Sequence, residues 1–330
     1  MQLRYLARRI RSMDTKRMCR TAEAIGKKTR KPAIVIFADM VYCGFRYRAG
    51  YSDYSLFEFY DRTKAQRETY LTRGKSNDLI RACNQKDRAA LVENKLSFCK
   101  LYADFLGRDV LDITQAAPRE IDAFRAKHPV FFAKTPDGMC GSGVRKVSCA
   151  DAGQLAQDGF LLWEEPIVQH PRMNALNPSC INTLRVMTLL ADGDVHVLGV
   201  FLRIGNKSNV DNLNAGGMAA KVDAETGIVV YPAADKNGTA HTAHPTTGAA
   251  IVGFQIPLWQ ECLAMIRRAA LVEPSVRYLG WDVAVTPTAP VLVEANALPG
   301  HDICQLPAHT PAKTGLIPIL RELLPKEIFA

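Results

Sequence analysis

Trp281-Asp282-Val283-Ala284-Val285 and Val291-Leu292-Val293-Glu294-Ala295-Asn296 are two short apolar strands, joined by the turn-forming run Thr286-Pro287-Thr288-Ala289-Pro290. A symmetric hairpin pairs Val285 with Val291 and sets Asp282 directly opposite Glu294. Side chains alternate faces along a strand, so Asn296 joins the two acids on one side. Trp281, Val283, Val285, Val291, Val293 and Ala295 make the other, core-facing side. Two carboxylates directly opposite each other repel. A divalent cation removes that penalty, and Asp, Glu and Asn oxygens are hard ligands that Mg²⁺ accepts beside phosphate oxygens. The alternative is a solvated outer face that tolerates the clash.

Upstream, Asn182 to Leu190 and Val195 to Arg203 read as strands around the hairpin turn Ala191-Asp192-Gly193-Asp194. Simple pairing sets Arg185 opposite Val200 and sends Arg203 to the other face, so a shared site for both arginines requires a bulge or a rotated strand end. Asn212-Leu213-Asn214-Ala215-Gly216-Gly217 follows as a loop, and Val222 to Gly227 as another strand and turn. Residues 255–273 make an amphipathic helix, and Leu316 to Leu324 a short apolar one.

Earlier still, Val130-Phe131-Phe132-Ala133-Lys134 and Val144-Arg145-Lys146-Val147 are strands flanking a glycine-rich loop with Gly138, Gly141, Ser142 and Gly143. The loop lacks the GK[ST] and following helix of a Walker A site, and the helix of a dinucleotide fingerprint. Its small residues would let backbone N–H groups close over an oligophosphate, with Lys134 at the strand end; the alternative is a surface hairpin. Residues 89–106 read as one amphipathic helix with Leu91, Phe98, Tyr102 and Phe105 on a stripe. Lys95 falls inside that stripe, where it must snorkel or find an anion. Phe160 to Ile167 is an apolar strand running into Glu164, Glu165 and Pro166, a crossing able to offer backbone groups to an adenine edge and a carboxylate to ribose hydroxyls.

The chain has 330 residues, enough for one large domain or two to three small ones. No apolar stretch approaches the roughly 20 residues that span a bilayer, and the N-terminus lacks the apolar core of a secretory signal. Nine cysteines without a CxxC pair or a repeated spacing argue for reduced thiols in a cytoplasmic protein and against a zinc ribbon or a disulfide framework. The net charge of +9 lies wholly in residues 1–31, which hold eleven Lys/Arg against Asp14 and Glu23. The rest is neutral, so no nucleic-acid surface is expected. The basic segment could meet phospholipid headgroups or an acidic protein, or form a solvated helix face. Pro32 to Phe37 reads as a buried strand and Asp78 to Arg88 as polar helix and loop. The Tyr- and Arg-rich residues 41–75 suggest no particular chemistry.

Taken in order, Asn94-Lys95, Lys134 before the glycine-rich hairpin, Glu164-Glu165, Gly280-Trp281-Asp282 and Glu294-Ala295-Asn296-Ala297-Leu298-Pro299-Gly300 resemble the ATP-grasp superfamily over about residues 90–310. The last run is similar to the EAN-x-x-PG metal motif of D-alanine–D-alanine ligase. Asn182-Thr183-Leu184-Arg185-Val186, Arg203 and Asn212 to Gly217 look like the ribosomal-protein glutamate ligases. The nearest resemblance is to the sugar-transfer-associated ATP-grasp group.

The resemblance implies an α+β fold with two lobes gripping ATP behind a reduced N-terminal domain. It divides the chain into residues 1–88, a small lobe at 89–162 and a large lobe at 163–330. Lys95 and Lys134 match the lysines on ATP phosphates, Gly138 to Gly143 the covering loop, and Glu164 and Glu165 the adenine and ribose region. Asp282, Glu294 and Asn296 match the Mg²⁺ ligands, Arg185 the arginine at the substrate or transferred phosphoryl group, and Arg203 a second such group. The D-alanine ligases carry an arginine where this chain has Gly280, leaving Arg185, Arg203 or Arg277 to supply the charge. His301 stands where it could touch substrate, and Cys140 reads as a small filler. The implied reaction is ATP-dependent ligation of a small carboxylate to an amine through an acyl phosphate. Alternatives are phosphoryl transfer to a sugar or glycan hydroxyl, and a non-catalytic ATP-binding module.

Overall fold

The computed structural model describes residues 14–138, 143–206, 211 and 215–329. It opens on α1 (Thr15–Thr29), started by the Asp14 carboxylate, which accepts from Arg17 N–H at 2.9 Å. The next element is α2 (Ala33–Arg46), a helix where the run from Pro32 to Phe37 suggested a buried strand. Consecutive apolar residues carry no period, so the local pattern cannot separate a strand from a helix. Three short helices follow, α3 (Tyr51–Leu56), α4 (Lys64–Glu68) and α5 (Arg73–Cys83). The tyrosines and arginines of this region pack. Tyr47, Tyr54, Phe57, Phe59 and Tyr70 form a buried aromatic core, and Arg67 grips Asp39 with two guanidinium nitrogens at 2.8 and 2.7 Å.

Residues 89–106 are not one helix. They are divided between α6 (Lys86–Glu93), α7 (Lys95–Leu101) and a 3₁₀ turn at Ala103–Phe105. Asn94 causes the break: its side chain accepts from Ser97 N–H and caps a new helix that begins at Lys95.

A four-stranded sheet follows in the order β1-β4-β2-β3, from β1 (Val110–Asp112), β2 (Val130–Lys134), β3 (Val144–Ser148) and β4 (Leu162–Glu164), with α8 (Pro118–Lys127) between β1 and β2. Gly143 closes the β2–β3 hairpin at φ 73°, and a Cβ there would stand 2.1 Å from Thr135 Oγ1. That position requires glycine for the turn itself.

The second sheet has the order β11-β10-β5-β6-β7-β8-β9 among the described residues. Its strands are β5 (Leu184–Ala191), β6 (Asp194–Ile204), β7 (Met218–Val222), β8 (Ala233–Asp235), β9 (Ala240–His241), β10 (Tyr278–Val285) and β11 (Pro290–Asn296). The short α9 (Pro171–Leu176) precedes it and α10 (Trp259–Ala269) covers one face. On that face lie Leu184, Val186, Val200, Leu202, Trp281 and Val283, all buried. Trp281 is fully enclosed and its indole N–H donates to Thr188 Oγ1 at 2.8 Å. The opposite face is apolar at one end, where Met187, Leu189, Phe201 and Tyr278 pack under α5 and α11 (Ile317–Leu323). It is charged at the other.

Two bulges decide what that face carries. Between Met187 and Thr188 the β5–β6 register shifts, so Arg185 pairs with Phe201 rather than Val200. Arg203, two residues beyond Phe201, therefore shares the face of Arg185. Between Asp282 and Val283 the β10–β11 register also shifts: Asp282 stays opposite Glu294, but Val285 meets Pro290 instead of Val291. The pair of acids holds while the apolar half of the hairpin slides by one residue.

Buried amides wire the helical region to the large sheet. Asn84 donates to the Tyr278 and Ala297 carbonyls at 2.8 and 2.7 Å and accepts from Tyr278 N–H at 2.8 Å. Gln305, wholly buried, accepts from Leu71 and Leu316 N–H and donates to the Leu71 and His301 carbonyls. The eight cysteines among the described residues are free. No helix among those residues is long and apolar enough to cross a membrane.

Candidate active site

Asp282 is the centre of the charged end. Arg185 approaches it with Nε at 2.5 Å from Oδ1 and Nη2 at 3.0 Å from Oδ2, and Arg203 Nη1 lies 2.9 Å from Oδ2. Arg203 also reaches back, with Nη2 2.9 Å from Asp211 Oδ1. Asp211 is held in turn by Thr183, whose N–H donates at 2.9 Å and whose hydroxyl donates as well. Sequence reading missed Asp211 and Thr183; they make Arg203 a fixed cation between two buried acids.

Electrostatics divide the facing acids into two states. Burial opposes ionisation of Asp282, yet Arg185 and Arg203 hold its carboxyl below the usual range. Glu294 is pushed up to about 7, first by burial and then by the Asp282 charge across the strands. The hairpin thus presents one carboxylate and one carboxyl that takes or loses a proton near neutrality. Asn296 completes the face. Its register partner is Gly280, and its amide donates to the Gly280 carbonyl at the long distance of 3.5 Å.

Gly280 lies beside Arg185 on the neighbouring strand. A Cβ on residue 280 would lie 3.5 Å from Arg185 Cδ, 3.1 Å from Pro299 Cβ and 3.2 Å from Met187 Sδ. The tight neighbours of that position are Pro299 and Met187, with the neighbouring strand's arginine in ordinary contact beside them. Arg277 is not at the site: its guanidinium donates to the Ala82 carbonyl at 3.2 Å, on α5.

The small sheet brings the lysines. Lys134, at the end of β2, donates to Glu164 Oε2 at 2.7 Å. Glu164 is buried on β4 and also receives Arg108, whose Nε lies 3.1 Å from the same oxygen. Burial would raise the Glu164 pKa, but Lys134 and Arg108 lower it to about 2. Arg108 continues to the Leu106 and Leu292 carbonyls at 3.0 and 2.7 Å, tying this cluster to β11. No signal in the sequence singled out Arg108. Glu165 is set apart, accepting from Asp109 N–H at 3.0 Å. Asp109 in turn faces His128 Nε2 at 2.8 Å and Lys127 Nζ at 2.5 Å.

Lys95 reaches the glycine-rich hairpin, not an apolar surface. Its N–H donates to the Pro136 carbonyl at 3.0 Å and its ammonium to the Gly138 carbonyl. Burial lowers its pKa, and Glu294, Lys134 and Glu164 are close enough to act on it. The neighbouring Glu93 accepts from Ala297 and Leu298 N–H at 2.6 and 3.1 Å, fixing the backbone just past Asn296. Lys95, Lys134, Arg185, Arg203, Asp282, Glu294 and Asn296 thus converge where the two sheets meet. Gly141, Ser142 and Asn212 to Asn214 lie outside the described residues. His301, just past Pro299-Gly300, is buried, with Nε2 2.9 Å from Asp53 Oδ1 of α3 and no partner for Nδ1.

The donor set suits a hard divalent cation: two carboxyls and an amide oxygen on one strand pair, with a proton on Glu294 that a cation would displace. Four cations around it suit an oligophosphate.

Residues 151–322 match a family described as sugar-transfer associated ATP-grasp. Among solved structures, D-alanyl-alanine synthetase A from Vibrio cholerae is 14% identical, with 72% of this chain and 66% of that chain covered and a TM-score of 0.47. The ATP-grasp ligase PsnB complexed with a minimal precursor is 14% identical, covering 66% and 55%, at a TM-score of 0.39. An ADP complex of PurK, an N5-carboxyaminoimidazole ribonucleotide synthetase, is 13% identical, covering 64% and 46%, at 0.40. The chain spans roughly half the length of the PsnB and PurK chains it matches. No curated protein matches it.

Proposed function

Because the chain belongs to the sugar-transfer associated ATP-grasp family, we propose that it is an ATP-dependent ligase joining a small-molecule carboxylate to an amine. The observation that carries this reading is Asp282, paired with Glu294 across the strands and clamped by Arg185 and Arg203, with Lys95 and Lys134 within electrostatic reach of Glu294.

In this reading Asp282, Glu294 and Asn296 hold Mg²⁺, which when bound neutralises phosphate oxygens. Lys95 and Lys134 bind the phosphates, and the hairpin around Gly138 and Gly143 covers them. Glu164 acts on the nucleotide indirectly, by holding Lys134, while Glu165 remains nearer the nucleoside end. Arg185 and Arg203 stand ready for the charge that develops on the transferred phosphoryl group. A substrate carboxylate oxygen attacks the γ-phosphorus, the bond to the bridging oxygen breaks and ADP leaves. The amine then attacks the acyl carbon, inorganic phosphate departs and the amine's proton passes to solvent. Closure of the two lobes keeps water from the acyl phosphate.

The test is ADP release from MgATP over a panel of carboxylates with hydroxylamine as acceptor. A hydroxamate formed with one acid supports the ligase. A stable phosphate ester on a sugar hydroxyl, without hydroxamate, replaces it with phosphoryl transfer. Nucleotide binding without turnover of any panel member leaves a binding module.

A further inference from the structure

Helix α2 is apolar on its outside as well as its inside. Ile36, Met40 and Cys43 face inward, in one core with Met18, Ala22 and Ile25 of α1. The opposite side presents Ile34, Val35, Ala38, Tyr42 and Phe45 at helical spacing; Asp39 at its edge is tied to Arg67 and Tyr54, and the first fully exposed charge is Arg46 in the last turn. Ile34 is 73% exposed, Phe45 56%, Val35 53% and Tyr42 41%. A surface helix ordinarily turns charged residues outward. A contiguous ridge of this kind marks an interaction surface.

The neighbouring helix and the turn leading into the ridge are basic. Lys16, Arg17, Arg20 and Lys27 project from the exposed side of α1, and Arg30 and Lys31 form the turn leading into Ile34. Glu23 is the one acid within α1. Lys28 and Lys31 are partly engaged, with Glu58 and with the Tyr60 carbonyl. All of the chain's net charge is concentrated in this helix and turn and the residues before them.

We propose that the outer face of α2, with the basic residues of α1 and the α1–α2 turn, docks on an anionic phospholipid surface. A convex helix with aliphatic and aromatic side chains on one side suits the boundary between headgroups and acyl chains, and lysines and arginines beside it meet headgroup phosphates. Tyr42 has the amphipathic ring favoured at that depth. Charge decides against a second copy of the chain as the occupant. An isologous contact places the same basic residues on both sides, where like charges repel. The surface contributes no residue to the site at Asp282, so the proposal is independent of the reaction catalysed there.

The experiment is co-sedimentation of the full chain with vesicles of phosphatidylcholine alone and of phosphatidylcholine mixed equally with phosphatidylglycerol. The expected result is binding to the mixed vesicles only, weakened as salt is raised past the range where the Debye length falls to about 8 Å. The double variant Ile34→Asp/Phe45→Asp is expected to bind about tenfold more weakly or less, with an unchanged melting temperature, since both side chains already face water. Ile34→Ala/Phe45→Ala gives a milder version of the same loss and guards against a folding defect. Ile319→Asp, at an exposed apolar residue of α11, leaves binding unchanged. Wild-type protein that sediments with neither vesicle overturns the proposal. So does binding that survives in both ridge variants. A wild-type dimer in light scattering that Ile34→Asp/Phe45→Asp dissociates, without vesicle binding, overturns it in favour of a second copy.

Discussion

Arg185 Cδ lies 3.5 Å from the point where a Cβ on Gly280 would stand. The two residues belong to adjacent strands and stand at ordinary contact distance, so the guanidinium of one lies where a longer side chain on the other would project. A cation that could have come from β10 is delivered from β5 instead, where it pairs with Asp282 on the way.

Arg185 is therefore expected to be indispensable and its origin to be negotiable. Arg185→Met lowers MgATP turnover by roughly two orders of magnitude, the scale of losing one preorganised charge at a transferring group. Arg185→Ala/Gly280→Arg recovers part of that loss by returning the guanidinium from the other strand. Steady-state ADP release compares the three proteins; a double variant no better than Arg185→Met rejects the equivalence.

The Glu294 carboxyl gives a pH signature. Its native pKa of about 7 stands above the ordinary 4.5. Between those values the folded protein keeps a proton that the unfolded chain has released, so stability falls as pH rises through that window. Glu294→Gln removes the effect. The variant melts several degrees above the wild type at about pH 8, and the gap closes towards about pH 5. In the proposed metal site Mg²⁺ displaces the same proton, so its stabilisation of the wild type is expected to grow with pH and to level off above about 7. Melting curves with and without Mg²⁺ test both; a gap independent of pH rejects the shared proton.

Glu164 sits between two cations, and each is expected to matter differently. Arg108→Leu leaves a buried carboxylate with one partner and costs about 3 kcal/mol, measured by denaturant unfolding. Lys134→Met costs less stability, because that lysine is partly accessible, but weakens ATP binding at least about tenfold in calorimetry. Equal nucleotide affinity in Lys134→Met and wild type confines the lysine to a structural role.

Asn84→Ala strips three hydrogen bonds from the ends of β10 and β11 and leaves buried backbone groups unpaired. The expected loss is about 2–3 kcal/mol in urea unfolding. Because Ala297 follows Asn296, the variant also weakens Mg²⁺-dependent stabilisation, a readout that a purely local packing defect would not move.

Period-two alternation and one turn made the Asp282–Glu294 pair legible in the hairpin from Trp281 to Asn296, but the turn itself pairs Val285 with Pro290, and it is the bulge after Asp282 that restores the register in which the two acids meet. The need for a bulge between Arg185 and Arg203 was legible too, since two arginines eighteen residues apart around a two-residue turn cannot otherwise share a face. Its position was not: bulges follow from how neighbouring strands twist together, which no single strand encodes. Helix α2 was misread because apolar residues on every side erase the period that distinguishes helix from strand. The break at Asn94 lay in plain sight as a capping residue, but the apolar stripe across residues 89–106 spoke louder. Arg108 was invisible because its partners, Glu164 and the Leu292 carbonyl, arrive from distant parts of the chain.

Gln305 has a bearing on how the molecule is made. Its side chain satisfies both the N–H and the carbonyl of Leu71, a residue 234 positions earlier. During synthesis Leu71 emerges well before Gln305, so that stretch of backbone lacks its native partner until the large sheet has been made. Closing so long a loop is slow. The segment around Leu71 thus waits on Gln305, and a ribosome stalled within the large sheet would hold out a helical segment that still lacks its native amide partner.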